Sequence, residues 1–137
     1  NLAELIHRQK YVETAFGRKL YVARNKAHAG ANYLIQGTAA GMLKRGEIRI
    51  DEYCRYNLDG LANIVVTIHD ECIISISRLL FPDINYILSD MSRMLEYHPE
   101  IKVPMEAEWS LTTSAWNKKE GFKYKKPDDW KFCEYHV

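Results

Sequence analysis

The chain has 137 residues, of which 47% are apolar and 27% charged, and a formal net charge of +1. That is enough for one domain or part of one, and the near-neutral balance excludes a protein that finds nucleic acid or membrane through a global field. Cys54, Cys72 and Cys133 show no CxxC spacing, which argues against a zinc site or a disulfide framework and for a reducing compartment.

No apolar run approaches membrane-span length, so no membrane partner is expected, and no secretory pattern opens the chain. Asn1 falls within an amphipathic phrase, so the chain reads as a piece of a longer protein or a trimmed one. In "NLAELIHRQK", Leu2, Leu5 and Ile6 recur at helical spacing and predict the end of a helix. "YVETAFGRKLYVAR" places β-formers on both sides of Gly17, the pattern of a hairpin. Six basic residues (Arg8, Lys10, Arg18, Lys19, Arg24, Lys26) stand here against Glu13, and a second basic cluster spans Lys118 to Lys126. Either patch suits phosphate contact or a solvated surface.

From about Lys26 to Arg49 the period is helical although Gly30, Gly37, Gly41 and Gly46 interrupt it. Each interior glycine costs roughly 1 kcal/mol relative to alanine, so close approach of a neighbour must offset the loss. "DEYCRYNLDG" reads as a polar connection. Two strands follow, Ala62 to Ile68 and about Cys72 to Ser77, joined at His69–Glu71. "FPDINYILSDMSRMLEYH" is the clearest helix, with Ile84, Ile87, Leu88, Met91, Met94 and Leu95 on one stripe and Pro82 near its start. "IKVPMEAEW" alternates and predicts a third strand, at a sheet edge or a bulge because of Pro104. The expected class is α+β: an antiparallel sheet packed with helices and preceded by a long glycine-containing helix.

The chemistry centres on "IVVTIHDECIISIS". Carboxylates at a hairpin tip suit a hard divalent cation such as Mg²⁺, which takes oxygen ligands and keeps several waters. Asp70 is the better ligand candidate, with Glu71 beside it, and His69 precedes both. By spacing alone a polar turn is an equal reading. On the glycine-rich helix His28, Asn32 and Gln36 recur every four residues and share a face; such amides can read nucleic acid or simply face solvent.

"YVETAFGRK", "NYLIQGTAAG" and "VVTIHDECIISI" resemble, in that order, three consecutive segments of the family A DNA polymerases: a hairpin, a helix with Asn-x-x-x-Gln-Gly-Thr-Ala-Ala, and the Val-His-Asp-Glu hairpin called motif C. The resemblance covers the chain to about Asn117. It implies that Asp70 is a catalytic metal ligand with Glu71 its acidic neighbour. By the same resemblance His69 lies by the primer terminus, Asn32 and Gln36 touch template and primer, and Arg18 contacts phosphate. It implies two-metal nucleotidyl transfer with Mg²⁺, for which Mn²⁺ can substitute, acting on primer–template DNA and deoxynucleoside triphosphates in a bacterial or phage-like cytoplasm.

His28 stands where the family commonly has Arg, and Gly41 where it has Asp. The family's other metal-binding aspartate and its nucleotide-binding Lys and Tyr belong to segments upstream of these. The piece is therefore expected to be inactive alone, to need that missing part in cis or in trans, and to risk self-association through the surfaces that part would cover. The implied layout is a single partial domain: 1–60 with the helix end, hairpin and fingers/palm helix, 61–117 with the C-terminal half of the palm, and 118–137 a basic tail. Competing readings are a single-subunit RNA polymerase segment, a non-catalytic or split nucleic-acid-binding remnant, and a His-Asp metal phosphohydrolase, whose pair would sit on a helix.

Overall fold

The computed structural model describes residues 2–115, 117–118 and 122–132; Cys133 and part of the basic tail lie outside them. The chain divides into two units, Asn1–Arg45 with His98–Lys102, and Gly46–Tyr97 with Val103–Val137.

In the first unit α1 (Leu2–Gln9) leads into the antiparallel pair β1 (Tyr11–Glu13) and β2 (Lys19–Tyr21), with Val12 opposite Leu20. Gly17 takes φ +79° at the turn, which an L side chain would resist. Buried Thr14 closes that turn. Its carbonyl accepts from the Gly17 N–H, and its Oγ1 accepts from the Arg18 N–H at 3.1 Å. Ile6, Val12, Val22 and Ala27 form a small core, supported by Leu20 and Leu34. A 3₁₀ turn (Arg24–Ala29) then delivers the chain to α2 (Gly30–Tyr56). Arg45 pairs with Glu100 at 2.9 Å and stacks over the Phe16 ring, which fastens residues 98–102 to this unit.

The second unit begins with the last turns of α2. Residues 51–56 continue the helix instead of forming the expected polar connection. The reason is an apolar stripe, Ile50, Tyr53 and Cys54, all buried at helical spacing. β3 (Ala62–Ile68) and β4 (Glu71–Ile76) pair antiparallel, and a 3₁₀ turn (Arg78–Asp83) enters α3 (Ile84–Glu96). Ile84, Ile87, Leu88, Met91 and Met94 of α3 join the α2 stripe, Leu58 and Ala62 in one core, with Ile64, Ile74 and Ile76 of the hairpin packed against it. Arg49 donates to the carbonyls of Met94 and Tyr97 at 3.1 and 2.8 Å, satisfying the exposed end of α3.

α3 is also buried on its polar side. Ser89 and Tyr124 share a hydrogen bond of 2.9 Å, and Trp109 Nε1 donates to Ser92 Oγ at 2.7 Å. Buried Asp90 accepts from Tyr53 OH and from Trp130 Nε1, each at 2.9 Å. The segment from Ile101 to Trp109, expected as an edge strand, joins no ladder. Pro104 has no N–H to give, and the Ala107 N–H is taken by Glu96 Oε1 at 2.9 Å. Its part from Val103 to Trp109 is a strap on α3, held by side chains. The α+β class stands, with helices packed on two small antiparallel sheets.

Gly46 explains why a glycine survives in α2. A Cβ there would lie 3.1 Å from Leu95 Cα and 2.7 Å from Leu95 Cδ2. Alanine would gain about 1 kcal/mol of helix propensity, but the α3 backbone would have to move. Gly46→Ala is therefore expected to lower the unfolding free energy by roughly 1–2 kcal/mol in urea titration, overpacking outweighing propensity. A more stable variant would show that α3 yields freely.

Candidate catalytic hairpin

β3 and β4 pair Ala62 with Ile76 and Ile64 with Ile74, then Val66 with Ile73, Thr67 with Cys72 and Ile68 with Glu71. Val65 is the extra residue of a bulge and is 63% exposed. A bulge changes the phase of the side chains beyond it. Ile64, Ile74 and Ile76 face the core; on β4, Cys72 shares that face by its period of two. Its partner Thr67 lies there too, three residues from Ile64, only because Val65 has been inserted.

Two residues, His69 and Asp70, link the strands. His69 has φ +57°, the position usually given to glycine in a two-residue hairpin loop. Histidine is among the few side chains enriched in this region. Both loop residues are exposed, and Glu71 is half-buried as the first residue of β4. Asp70 therefore presents a carboxylate to solvent at the end of a paired ribbon. An exposed, hard oxygen donor of this kind suits a divalent cation. Among the described residues no group of three or more His, Cys, Asp or Glu side chains is placed to hold a metal. One carboxylate at a tip is a partial ligand set.

Three residues that spacing did not single out meet behind the tip. Glu47 of α2 accepts a hydrogen bond from Thr67 Oγ1, and Cys72, the cross-strand partner of Thr67, lies within reach of the Glu47 charge. Burial, followed by that charge, pushes the Cys72 thiol up to about 12. Cys54 is raised to about 11 by burial and then by Asp51. A sequence signal existed for Glu47: it lies on the helical stripe with Ile50 and Cys54, an acid among apolar neighbours.

The remaining predicted residues belong to the first unit, while His69, Asp70 and Glu71 belong to the second. Arg18 is exposed just before β2, its backbone held by Thr14. Asn32 and Gln36 are exposed one turn apart on α2. His28 is exposed too, but sits in the 3₁₀ turn that precedes α2, not on the α-helix itself.

The sequence profile described as DNA polymerase family A matches residues 1–118. The chain belongs to this family. It is 28% identical over 107 residues to DNA polymerase I of Helicobacter pylori, covering 77% of this chain and 11% of that protein. Over 79 residues it is 33% identical to DNA polymerase I of Pseudomonas aeruginosa, covering 50% of this chain and 8% of that protein. The chain thus spans about a tenth of the length of the curated relatives it matches. As a family A segment it places the His69–Asp70 loop within the matched region.

Two measurements test the local physics. A thiol whose folded pKa is raised holds its proton more tightly than in the unfolded chain. Its stabilising contribution is therefore full below about pH 9 and is lost as pH rises towards about 12. At pH 8 iodoacetamide should modify native Cys72 at least about a hundredfold more slowly than the same thiol in denaturant, because the thiolate is the nucleophile. Peptide mapping of the modified sites reads this. For the loop, positive φ costs an L residue roughly 1–2 kcal/mol, while glycine frees about 0.4–1 kcal/mol of unfolded-state entropy. His69→Gly should be neutral or slightly stabilising in thermal melts, and His69→Val should be clearly destabilising. The reverse order would refute the strained-loop reading.

Proposed function

We propose that this chain is the motif C part of a DNA-directed DNA polymerase, working within the longer enzyme that the family implies. The observation that carries the reading is the solvent-facing carboxylate of Asp70 on a two-residue loop at the end of a fixed hairpin, inside the matched region. Asp70 is the metal ligand. Glu71 is the acidic neighbour, set into β4 and less directly involved. His69 fixes the loop and sits beside the primer terminus. Asn32 and Gln36 offer amides that donate and accept in the minor groove, and Arg18 offers a phosphate contact. His28, an imidazole where the family has a five-donor guanidinium, makes a weaker contact at that position.

Asp70 would give one ligand to a two-Mg²⁺ site, which a carboxylate from another segment of the polymerase, the triphosphate and water would complete; the ions would supply activation of the primer hydroxyl and neutralise charge on the triphosphate and departing pyrophosphate. These 137 residues alone are therefore catalytically silent. Val65 and Val66, both exposed on the hairpin, are covered in the whole enzyme and favour self-association of the isolated piece. No helix among the described residues is long and apolar enough to cross a membrane.

Primer extension by the full-length polymerase, wild type beside Asp70→Asn and beside the isolated piece, tests this. A lost ligand is worth several kcal/mol of transition-state stabilisation, so Asp70→Asn should lower extension by at least about a hundredfold. The isolated piece should stay at background. Extension by Asp70→Asn at the wild-type rate would remove the metal-ligand assignment. Equal, salt-sensitive DNA binding by all three samples with no extension by any would favour a binding module.

A further inference from the structure

The Glu47 carboxylate is half-buried on the apolar stripe of α2, where an unpartnered charge would be costly. Its partner is the Thr67 hydroxyl of β3. Thr67 is paired across the ribbon with Cys72 of β4, and the only pair between them and the His69–Asp70 loop is Ile68 with Glu71. The carboxylate therefore holds the ribbon at its penultimate pair, through β3. The Val65 bulge is what turns Thr67 towards that grip.

We propose that Glu47 is a positioning residue for Asp70, clamping the loop end of the hairpin to α2 through Thr67 so that the Asp70 carboxylate holds the place a divalent cation requires. This rests on the function proposed above and deepens it. A two-stranded ribbon is marginal by itself and twists readily. The core contacts of the hairpin are made through Ile64, Ile74 and Ile76, away from the loop. Beyond Ile64 the Glu47–Thr67 bond ties the loop end to α2. Asp70 stands three residues past Thr67 and two before Cys72, so rotation or sliding at this pair is carried directly to the tip. Mg²⁺ demands near-ideal geometry, and a misplacement of about 1 Å can cost two orders of magnitude in rate.

The test uses the full-length polymerase with primer–template, a deoxynucleoside triphosphate and titrated Mg²⁺. Variants are Glu47→Leu, Glu47→Gln, Thr67→Val, the double Glu47→Leu/Thr67→Val, and Asp70→Asn. Glu47→Leu should lower kcat about tenfold and raise the half-saturating Mg²⁺ concentration by a similar factor, with primer–template Kd within about twofold of wild type. Glu47→Gln keeps an acceptor oxygen for Thr67 and should recover most of both. Thr67→Val, a mild change at an exposed position, should shift the Mg²⁺ midpoint about threefold in the same direction. The double variant should be little worse than Glu47→Leu, because both changes break one contact.

A merely structural Glu47 would lower the melting temperature and leave kcat and the Mg²⁺ midpoint of the folded enzyme unchanged; that result overturns the clamp. An unshifted midpoint in Thr67→Val overturns it as well, even where Glu47→Leu does not fold. Loss of extension in Asp70→Asn beside a wild-type Mg²⁺ response in Glu47→Leu sinks the clamp alone. Wild-type extension by Asp70→Asn sinks both readings together.

Discussion

The stripe of Ile50, Tyr53 and Cys54 on α2 is the surface on which the second unit is built. Neither of the elements packed on it could persist alone. A single two-stranded hairpin is marginal in water, and a helix of the length of α3, 13 residues, is marginal without tertiary contacts. Both draw stability from burying apolar side chains in the core to which these three residues belong. Gly46 lets α3 approach at one end of this contact, and Arg49 satisfies the α3 carbonyls beside it. The position of the His69–Asp70 loop is thereby inherited from α2, through the core along most of the ribbon and through Glu47 near the tip.

Polar burial shapes the other side of α3. Asp90 gives up water but receives a hydroxyl from Tyr53 and an indole N–H from Trp130. Removing either would take a partner from a buried carboxylate, at a cost larger than the modest gain each bond brings. Trp130 belongs to the tail, beyond residue 118 where the family profile ends. That tail is tied down again by Tyr86 donating to Asp129 and by Lys126 stacked on Trp130. Lys126, one of the cluster that reads as a phosphate patch, is therefore committed to an aromatic ring. The described part of the tail is an addition to the fold, covering polar positions that an amphipathic α3 would otherwise leave in solvent.

Much of this was legible because simple periods were at work. Period-two runs flanking Gly17 and flanking His69–Asp70 became hairpins, and the Ile84-to-Leu95 stripe became α3. The glycines of α2 read correctly as points of close approach, since backbone lies where a Gly46 side chain would go. Ile101 to Trp109 misled because alternation reports which side chains face inward, not where backbone donors are bonded; Glu96 accepts the Ala107 N–H that a neighbouring strand would have bonded. The extension of α2 through Tyr56 was hidden by its acidic and polar exterior, although Tyr53 and Cys54 continue the stripe. The Val65 bulge carries no glycine or other marker. The face presented by Thr67, and with it the Glu47 contact, could not be read from alternation.

The charged triplet between two apolar strands is less costly than its sequence setting suggests. His69 and Asp70 are the loop itself and remain in water, so little desolvation has to be offset. What is costly is the left-handed backbone of His69 and the half-buried charge of Glu47. Strain and buried charge of this kind persist where the surroundings over-determine them, as at ligand-holding sites. An exposed carboxylate on an over-determined loop can take a hard cation without first breaking a buried ion pair, whose disruption would itself be expensive. On the proposed reading the chain therefore places its constraint in the support, at Glu47 and His69, and leaves Asp70 accessible to the ion it would hold.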